Sequence, residues 1–413
     1  MQFVLAKVAR RFPIFRIGMR RIRRGFLGAQ FWLQSVTART NANLVVFSAY
    51  GGHSFACSPK AIYQYMLHNP EYAAYSFVWL FTEPERYAFL QQNERTKVLR
   101  FHSKEADRAV ACAKYWIINF TAPDYWVPRR DQIYLQCWHG TPLKKLGFDL
   151  ASSQNAMNSV YEIHRRYAMD AKKFHYLLSP SPFATEAFSS AWNLKAVGKE
   201  GAVLEIGYPR NDFLFSYTED DVKSIRERLD IPDDDRKILL YAPTWRDNQY
   251  DTGRGYVYES PVDFDYLQSC LENDYIILFR AHYLVANSLH FEKYGGFLVD
   301  VSNVDDINDL YVISDMLITD YSSVCFDYAN LKRPILFYMY DMEFYRSALH
   351  DFYLEPEALP GEIVKTAEAL VRAVRNAARP NNSDKRYQAF SARFNPLDDG
   401  NASKRVVEVL FHD

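Results

Sequence analysis

The sequence predicts an α/β protein of two domains, each built on a parallel sheet, preceded by a basic amphipathic helical segment. Three observations carry this. Short apolar runs alternate with amphipathic stretches through both halves of the chain, which is the rhythm of strand–helix–strand units. At 413 residues the chain exceeds what one hydrophobic core normally fills. And no Asp or Glu precedes Glu71, while Lys7, Arg10, Arg11, Arg16, Arg20, Arg21, Arg23 and Arg24 crowd the start.

Composition narrows the class. Hydrophobic residues make up 48% of the chain, enough for two cores. The 30 tyrosines and 29 phenylalanines suit a large folded protein with extensive contact surfaces. A net charge of -1 gives no global attraction to nucleic acid. Cys57, Cys112, Cys137, Cys270 and Cys325 are odd in number and lack CxxC spacing. That fits a reducing compartment and argues against a disulfide frame or a zinc site. No run approaches the roughly 18 apolar residues of a spanning helix.

Residues 1–40 form the basic segment, as one helix or as two joined at Pro13. Phe15, Met19, Ile22 and Phe26 recur at helical spacing, with Arg16, Arg20, Arg23 and Arg24 towards the other face. Arginines interrupt any apolar core, so it does not read as a secretory signal. It either packs on the protein's own surface or lies on anionic lipid, where each basic residue contributes about 1 kcal/mol. The lack of acids favours the membrane surface.

Residues 41–215 make the first domain. Leu44–Ser48 is a strand running into Gly51-Gly52, and Pro59–His68 a helix. Phe77–Phe81 and Lys97–Phe101 are strands, Glu105–Ala113 a helix, and Tyr115–Phe120 and Ile133–Trp138 strands. The Gly pair is not a GxGxxG fingerprint. The strand ending at Trp138 runs into His139-Gly-Thr-Pro-Leu-Lys-Lys145. Gly140 permits a sharp turn, Thr141 can cap the segment after it, and Pro142 suits a first helical position. His139 is thus placed at the sheet edge where open α/β sheets bind ligands. A helix over Ser153–Met169, a strand from Tyr176, and a strand from Val203 into Tyr208-Pro-Arg-Asn211 complete this half.

Residues 216–413 make the second domain. A helix (Glu219–Leu229) and an acidic connector (Pro232–Asp235) lead into the strand Lys237–Ala242, which ends in Pro243-Thr-Trp-Arg246. The next strand, from Tyr275, ends in Arg280-Ala-His282; Phe297–Val301 is another. Then comes Met316–Ile318, a turn holding Thr319, Asp320, Ser322 and Ser323, and a new helix. A strand from Arg333 ends in Asp341 and Glu343, and helices cover Leu370–Ala378 and Ala402–Phe411. In a parallel sheet these polar strand ends share one edge. A lone serine at such a turn caps its helix. Four hydroxyl and carboxyl residues together, with Thr244, Arg246 and Arg280, outline a diphosphate pocket.

The ordered set HGTPLKKLGxD (139–149), PTWR (243–246), RxH (280–282), SDxLITDYSS (314–323) and RPxLFY (333–338) with Asp341 resembles the CDP-glycerol glycerophosphotransferase family of teichoic-acid and capsule enzymes. The likeness is strong over about residues 130–365. It implies two facing Rossmann-like domains in a GT-B arrangement, an active site in the cleft, and peripheral attachment to the inner membrane face. It also implies CDP-glycerol as donor and a lipid-linked glycan or polyol-phosphate acceptor. By motif, His139 is the general base and His282 a second essential histidine near the diphosphate. Thr319, Ser322 and Ser323 hold phosphate oxygens, and Asp320 orients the site. Charge and position add Lys144 and Arg246. Two departures stand out: Tyr283 comes after the RxH where the family often has proline, and the long helical extension of some polymerising members is missing.

No cofactor is expected. No Asp-x-Asp spacing accompanies these motifs, so arginines, histidines and helix-end amides stand in for a cation, with Mg2+ left open. The alternatives are a CDP-ribitol or nucleotide-sugar transferase on the same scaffold, and a non-catalytic nucleotide-binding membrane scaffold. Glycerol against ribitol, single addition against polymerisation, and oligomeric state stay open.

Overall fold

The computed structural model describes residues 13–150, 159–232, 234–244, 250–251, 255–256, 262–280, 292–345, 352–377 and 384–411. The first sheet contains β1 (Asn41–Ser48), β2 (Ser76–Phe81), β3 (Thr96–Arg100), β4 (Ala113–Ile118), β5 (Ile133–Gln136), β6 (Tyr176–Ser179) and β7 (Val203–Glu205). Their order is β3-β2-β1-β4-β5-β6-β7, and every pairing is parallel. The second sheet contains β8 (Lys237–Ala242), β9 (Tyr275–Phe279), β10 (Leu298–Asp300), β11 (Met316–Thr319), β12 (Ile335–Tyr338) and β13 (Glu362–Val364). Its order is β10-β9-β8-β11-β12-β13, again parallel throughout. Two parallel-sheet domains are therefore present, as the alternating pattern predicts.

The apolar runs explain why the sheets are parallel and central. Both faces of the central strands are covered, so those strands carry no polar alternation; the edge strand β3, TKVLR, does alternate. In the first sheet Val46, Val78 and Trp116 join one core layer. Their neighbours Val45, Phe77, Trp79 and Ile117 join the layer on the opposite face. The second sheet repeats this, with Ile238, Leu240 and Leu278 in one layer and Leu239, Tyr241 and Ile277 in the other.

Helix α1 (Pro13–Thr37) packs on the first sheet's outer layer through Phe31, which meets Trp116 and Tyr125 edge-on. Residues 1–12 of the basic segment lie outside the described residues. Of the helix expected over Ser153–Met169, residues 153–158 lie outside the described residues; the described helix is Val160–Lys173, where Ser159 and Glu162 form a capping box. Helices at Phe264–Leu271 and Lys385–Phe394 and the strand β13 add to the expected elements. The final helix, Ala402–Phe411, crosses back from the second half. Val406, Val407 and Leu410 are buried in the first domain's core. Its first turn is held by Asp212, whose carboxylate accepts from the amides of Ala402 and Ser403.

Candidate active site

His139 stands on a turn that the backbone reaches only with help. Trp138 has φ of +49° and Gly140 of +146°, both in regions that side chains disfavour. Gln136 fixes the turn: its side-chain oxygen accepts from the Trp138 amide at 3.0 Å, and its NH2 donates to Asp170 at 2.9 Å. The Trp138 indole is wedged edge-on against Trp192 with centroids 4.7 Å apart. The His139 ring lies over Trp138 at 4.1 Å and beside Tyr50 at 5.8 Å.

Its Nδ1 is 2.9 Å from the Asn119 carbonyl oxygen, just past the end of β4. A carbonyl only accepts, so Nδ1 carries the proton and the lone pair is on Nε2. Burial pulls the imidazolium pKa down to about 4; the hydrogen bond to Asn119 opposes this and the Arg210 guanidinium adds to it. At neutral pH the ring is an uncharged proton acceptor.

The second wall is the edge of the other sheet. Asp320, just past β11, accepts from the amides of Thr244 at 2.7 Å and Tyr321 at 2.6 Å. It thereby binds the end of β8 to the serine turn. The Tyr321 hydroxyl donates to Asp341 at 3.0 Å. Arg280, at the end of β9, donates to the Val304 carbonyl at 2.7 Å and holds the loop after β10.

The two walls meet. A Cβ placed on Gly140 would lie 3.1 Å from the Ser323 hydroxyl oxygen. Between them is a cavity of about 450 Å³, lined by His139, Gly140, Thr141 and Lys144 from the first domain and by Thr244, Arg280, Ser322 and Ser323 from the second. A second cavity of about 460 Å³ shares His139, Arg280 and Ser323, and runs on between Tyr50, Arg86 and Asp306. Lys144 also lies over the Tyr345 ring, with Nζ 5.2 Å from its centroid.

Other expected residues are placed differently. Thr319 is fully buried, and its hydroxyl donates to the Ala242 carbonyl at 2.8 Å. As the last residue of β11 it closes a gap between strands and is absent from the cavity wall. Asp320 and Asp341 stand behind the wall and brace it. The helix after the serines is only Val324–Tyr328, and Ser323 at its start makes no side-chain cap, which weakens the helix-dipole part of the anion argument. Arg246 and His282 lie outside the described residues. Among the described residues no group of three or more His, Cys, Asp or Glu is placed to hold a metal ion.

Sequence reasoning misses three participants: Tyr50, Asn119 and Arg210. Asn119 acts through its main-chain carbonyl, which leaves no trace in a sequence. Arg210 sits in the Tyr-Pro-Arg-Asn turn, where a cation in a polar turn after a strand is the available signal.

Known proteins share this arrangement. A family model described as CDP-glycerol:poly(glycerophosphate) glycerophosphotransferase matches residues 30–412. The teichoic acid poly(glycerol phosphate) polymerase of Bacillus spizizenii is 40% identical over 373 residues, which is 90% of this chain and 92% of the relative. The teichoic acid glycerol-phosphate transferase of Staphylococcus aureus is 36% identical over 90% of this chain and 93% of its own. A solved structure of the wall teichoic acid polymerase TagF, a variant soaked with CDPG, superposes with a TM-score of 0.83 at 34% identity, covering 96% of this chain and 97% of that one.

Proposed function

We propose that this chain, which belongs to the CDP-glycerol:poly(glycerophosphate) glycerophosphotransferase family, carries out its transfer in the cleft between His139 and the serine turn. It is a CDP-glycerol glycerophosphotransferase that moves glycerol phosphate from CDP-glycerol to a teichoic-acid acceptor. The observation that supports the cleft is the close approach of Ser323 to Gly140, where a Cβ would lie 3.1 Å from its hydroxyl; it sets a neutral histidine beside the second sheet's polar edge.

The acceptor hydroxyl oxygen attacks the phosphorus that bears glycerol. The bond from that phosphorus to the bridging oxygen breaks, CMP leaves, and a phosphodiester forms. His139 Nε2 takes the hydroxyl proton as the new bond forms. Most of the acceleration in such a reaction comes from alignment and charge neutralisation. Arg280 and Lys144, with Arg246 by charge and position and His282 by motif, supply positive charge around the diphosphate. Ser322 and Ser323 donate to its oxygens.

Helix α1 is the proposed membrane contact. No helix among the described residues is long and apolar enough to cross a bilayer. Yet Ile22, Phe26, Leu33 and Val36 recur at helical spacing and are exposed, Phe26 by 70%. They lie opposite the buried Phe31, so the helix has one apolar face towards the protein and another towards solvent. That second face fits the interfacial region of an anionic leaflet on the cytoplasmic side, where the acceptor's lipid anchor would sit.

Incubation with CDP-glycerol, CDP-ribitol or UDP-sugars and a lipid-linked glycerol phosphate acceptor, read by CMP release and product mass, tests the donor assignment. CDP-glycerol turnover at least about tenfold above the others is expected. Preference for CDP-ribitol would move the chain to a ribitol-phosphate activity.

A further inference from the structure

We propose that Arg210 is a positioning residue for the transfer, tying the main chain of His139 to Asp327 and so fixing the base relative to the serine turn. This rests on the reading of His139 as the base. Arg210 is 6% exposed. One guanidinium nitrogen, Nη1, donates to the His139 carbonyl at 2.5 Å, and Nη2 pairs with Asp327 at 3.1 Å. Asp327 belongs to the short helix that begins after Ser323. The Arg210 backbone is held from both sides as well. Its amide lies 3.4 Å from the Ser58 hydroxyl of the first domain, and its carbonyl accepts from the Asn308 side chain of the second.

The placement matters because the His139 peptide lies between two residues of positive φ, Trp138 and Gly140. Nothing in such a turn fixes the carbonyl direction by itself. A fork of N–H groups shared between that carbonyl and a buried carboxylate does, with a geometry that lysine cannot copy. A buried ion pair adds little net stability, because desolvation of both charges offsets their attraction. The value of this pair is in what it aligns. The ionisable groups lining the two cavities that share the ring are Tyr50, His53, Cys57, Glu83, Arg86, Tyr87, Lys144, Arg210, Arg280, Asp305, Asp306, Tyr321 and Asp327. Arg210 is the neighbour whose charge acts against the imidazolium.

The test compares the wild type with Arg210→Gln/Asp327→Asn, Arg210→Lys and His139→Asn. Melting temperature is measured together with kcat, KM for CDP-glycerol, and kcat/KM from pH 3 to 8. The double variant removes both charges and keeps hydrogen-bonding groups of similar shape. Its melting temperature is expected to stay close to wild type while kcat falls about tenfold to a hundredfold, with KM changed less. Its acidic limb should move up, since the cation that opposes the imidazolium is gone. Arg210→Lys should lose kcat while keeping the limb in place. A double variant with wild-type kcat and an unmoved limb overturns the proposal. If the double variant does not fold, Arg210→Lys decides: full kcat overturns the proposal. An acidic limb that persists in His139→Asn instead removes the base reading itself.

Discussion

The Nδ1 of His139 lies 2.9 Å from the carbonyl oxygen of Asn119. That hydrogen bond selects the tautomer with a free Nε2, and burial keeps the ring neutral, with a pKa of about 4. The arriving diphosphate brings negative charge into the same cavity, which favours the imidazolium and raises that value. The acidic limb of kcat reports the loaded enzyme, and that of kcat/KM the free one. The limb of kcat is therefore expected at higher pH than the limb of kcat/KM, measured with CDP-glycerol. Coincident limbs would mean that the donor does not bind beside His139.

Gly140 is the glycine of the cleft at which an added carbon would press the two walls apart. Its φ of +146° strains any side chain, and the 3.1 Å that would separate an added Cβ from the Ser323 hydroxyl forces that serine to shift. Gly140→Ala is expected to cut kcat by about a hundredfold through misplacement of the walls. The loss in stability should stay within about 1–3 kcal/mol. Kinetics and urea unfolding check both.

Helix α1 offers a separable test. Phe26→Asp together with Leu33→Asp charges the exposed face and leaves the buried Phe31 in place. Binding to vesicles containing phosphatidylglycerol should weaken by about tenfold or more. Turnover with a soluble acceptor should change little. Equal sedimentation of both proteins with vesicles would end the membrane assignment.

Asp398 gives the fold a pH dependence. It accepts from the Tyr208 amide and from the side chains of Asn211 and Asn330. Burial outweighs these donors and pushes its pKa up to about 6. A carboxyl whose folded pKa exceeds its unfolded value stabilises the fold at low pH and loses that contribution as pH rises from about 4 to 6. Relative to Asp398→Asn, the wild type should lose on the order of 3 kcal/mol between pH 4 and 7. Urea unfolding at both pH values measures it, and parallel curves for the two proteins would contradict the assignment.

The range of each interaction decides whether the residues announce it or hide it. Leu44–Phe47 and Ile238–Leu240 read as strands because a parallel strand covered on both faces is apolar throughout. The His139 turn is legible because Gly140 suits its positive φ, but the helix start that Thr141 and Pro142 suggest is not formed: residues 141–146 run without a helix to the 3-10 turn Gly147–Asp149. Thr319 reads as a ligand contact because hydroxyls look alike in a sequence. One that closes a strand gap and one that faces a ligand differ only in which way the strand turns them. The tie between Arg210 and Asp327 is hidden because it joins the two halves of the chain, and only the packed domains bring them together.

His139 as the base is the claim on which the transfer depends. Its most direct test is turnover of His139→Ala with CDP-glycerol and a lipid-linked glycerol phosphate acceptor, with melting temperature measured alongside. The expected result is a fall in kcat of about a hundredfold in a protein that melts like the wild type. Turnover near the wild-type rate would show that the proton goes elsewhere and would contradict the assignment.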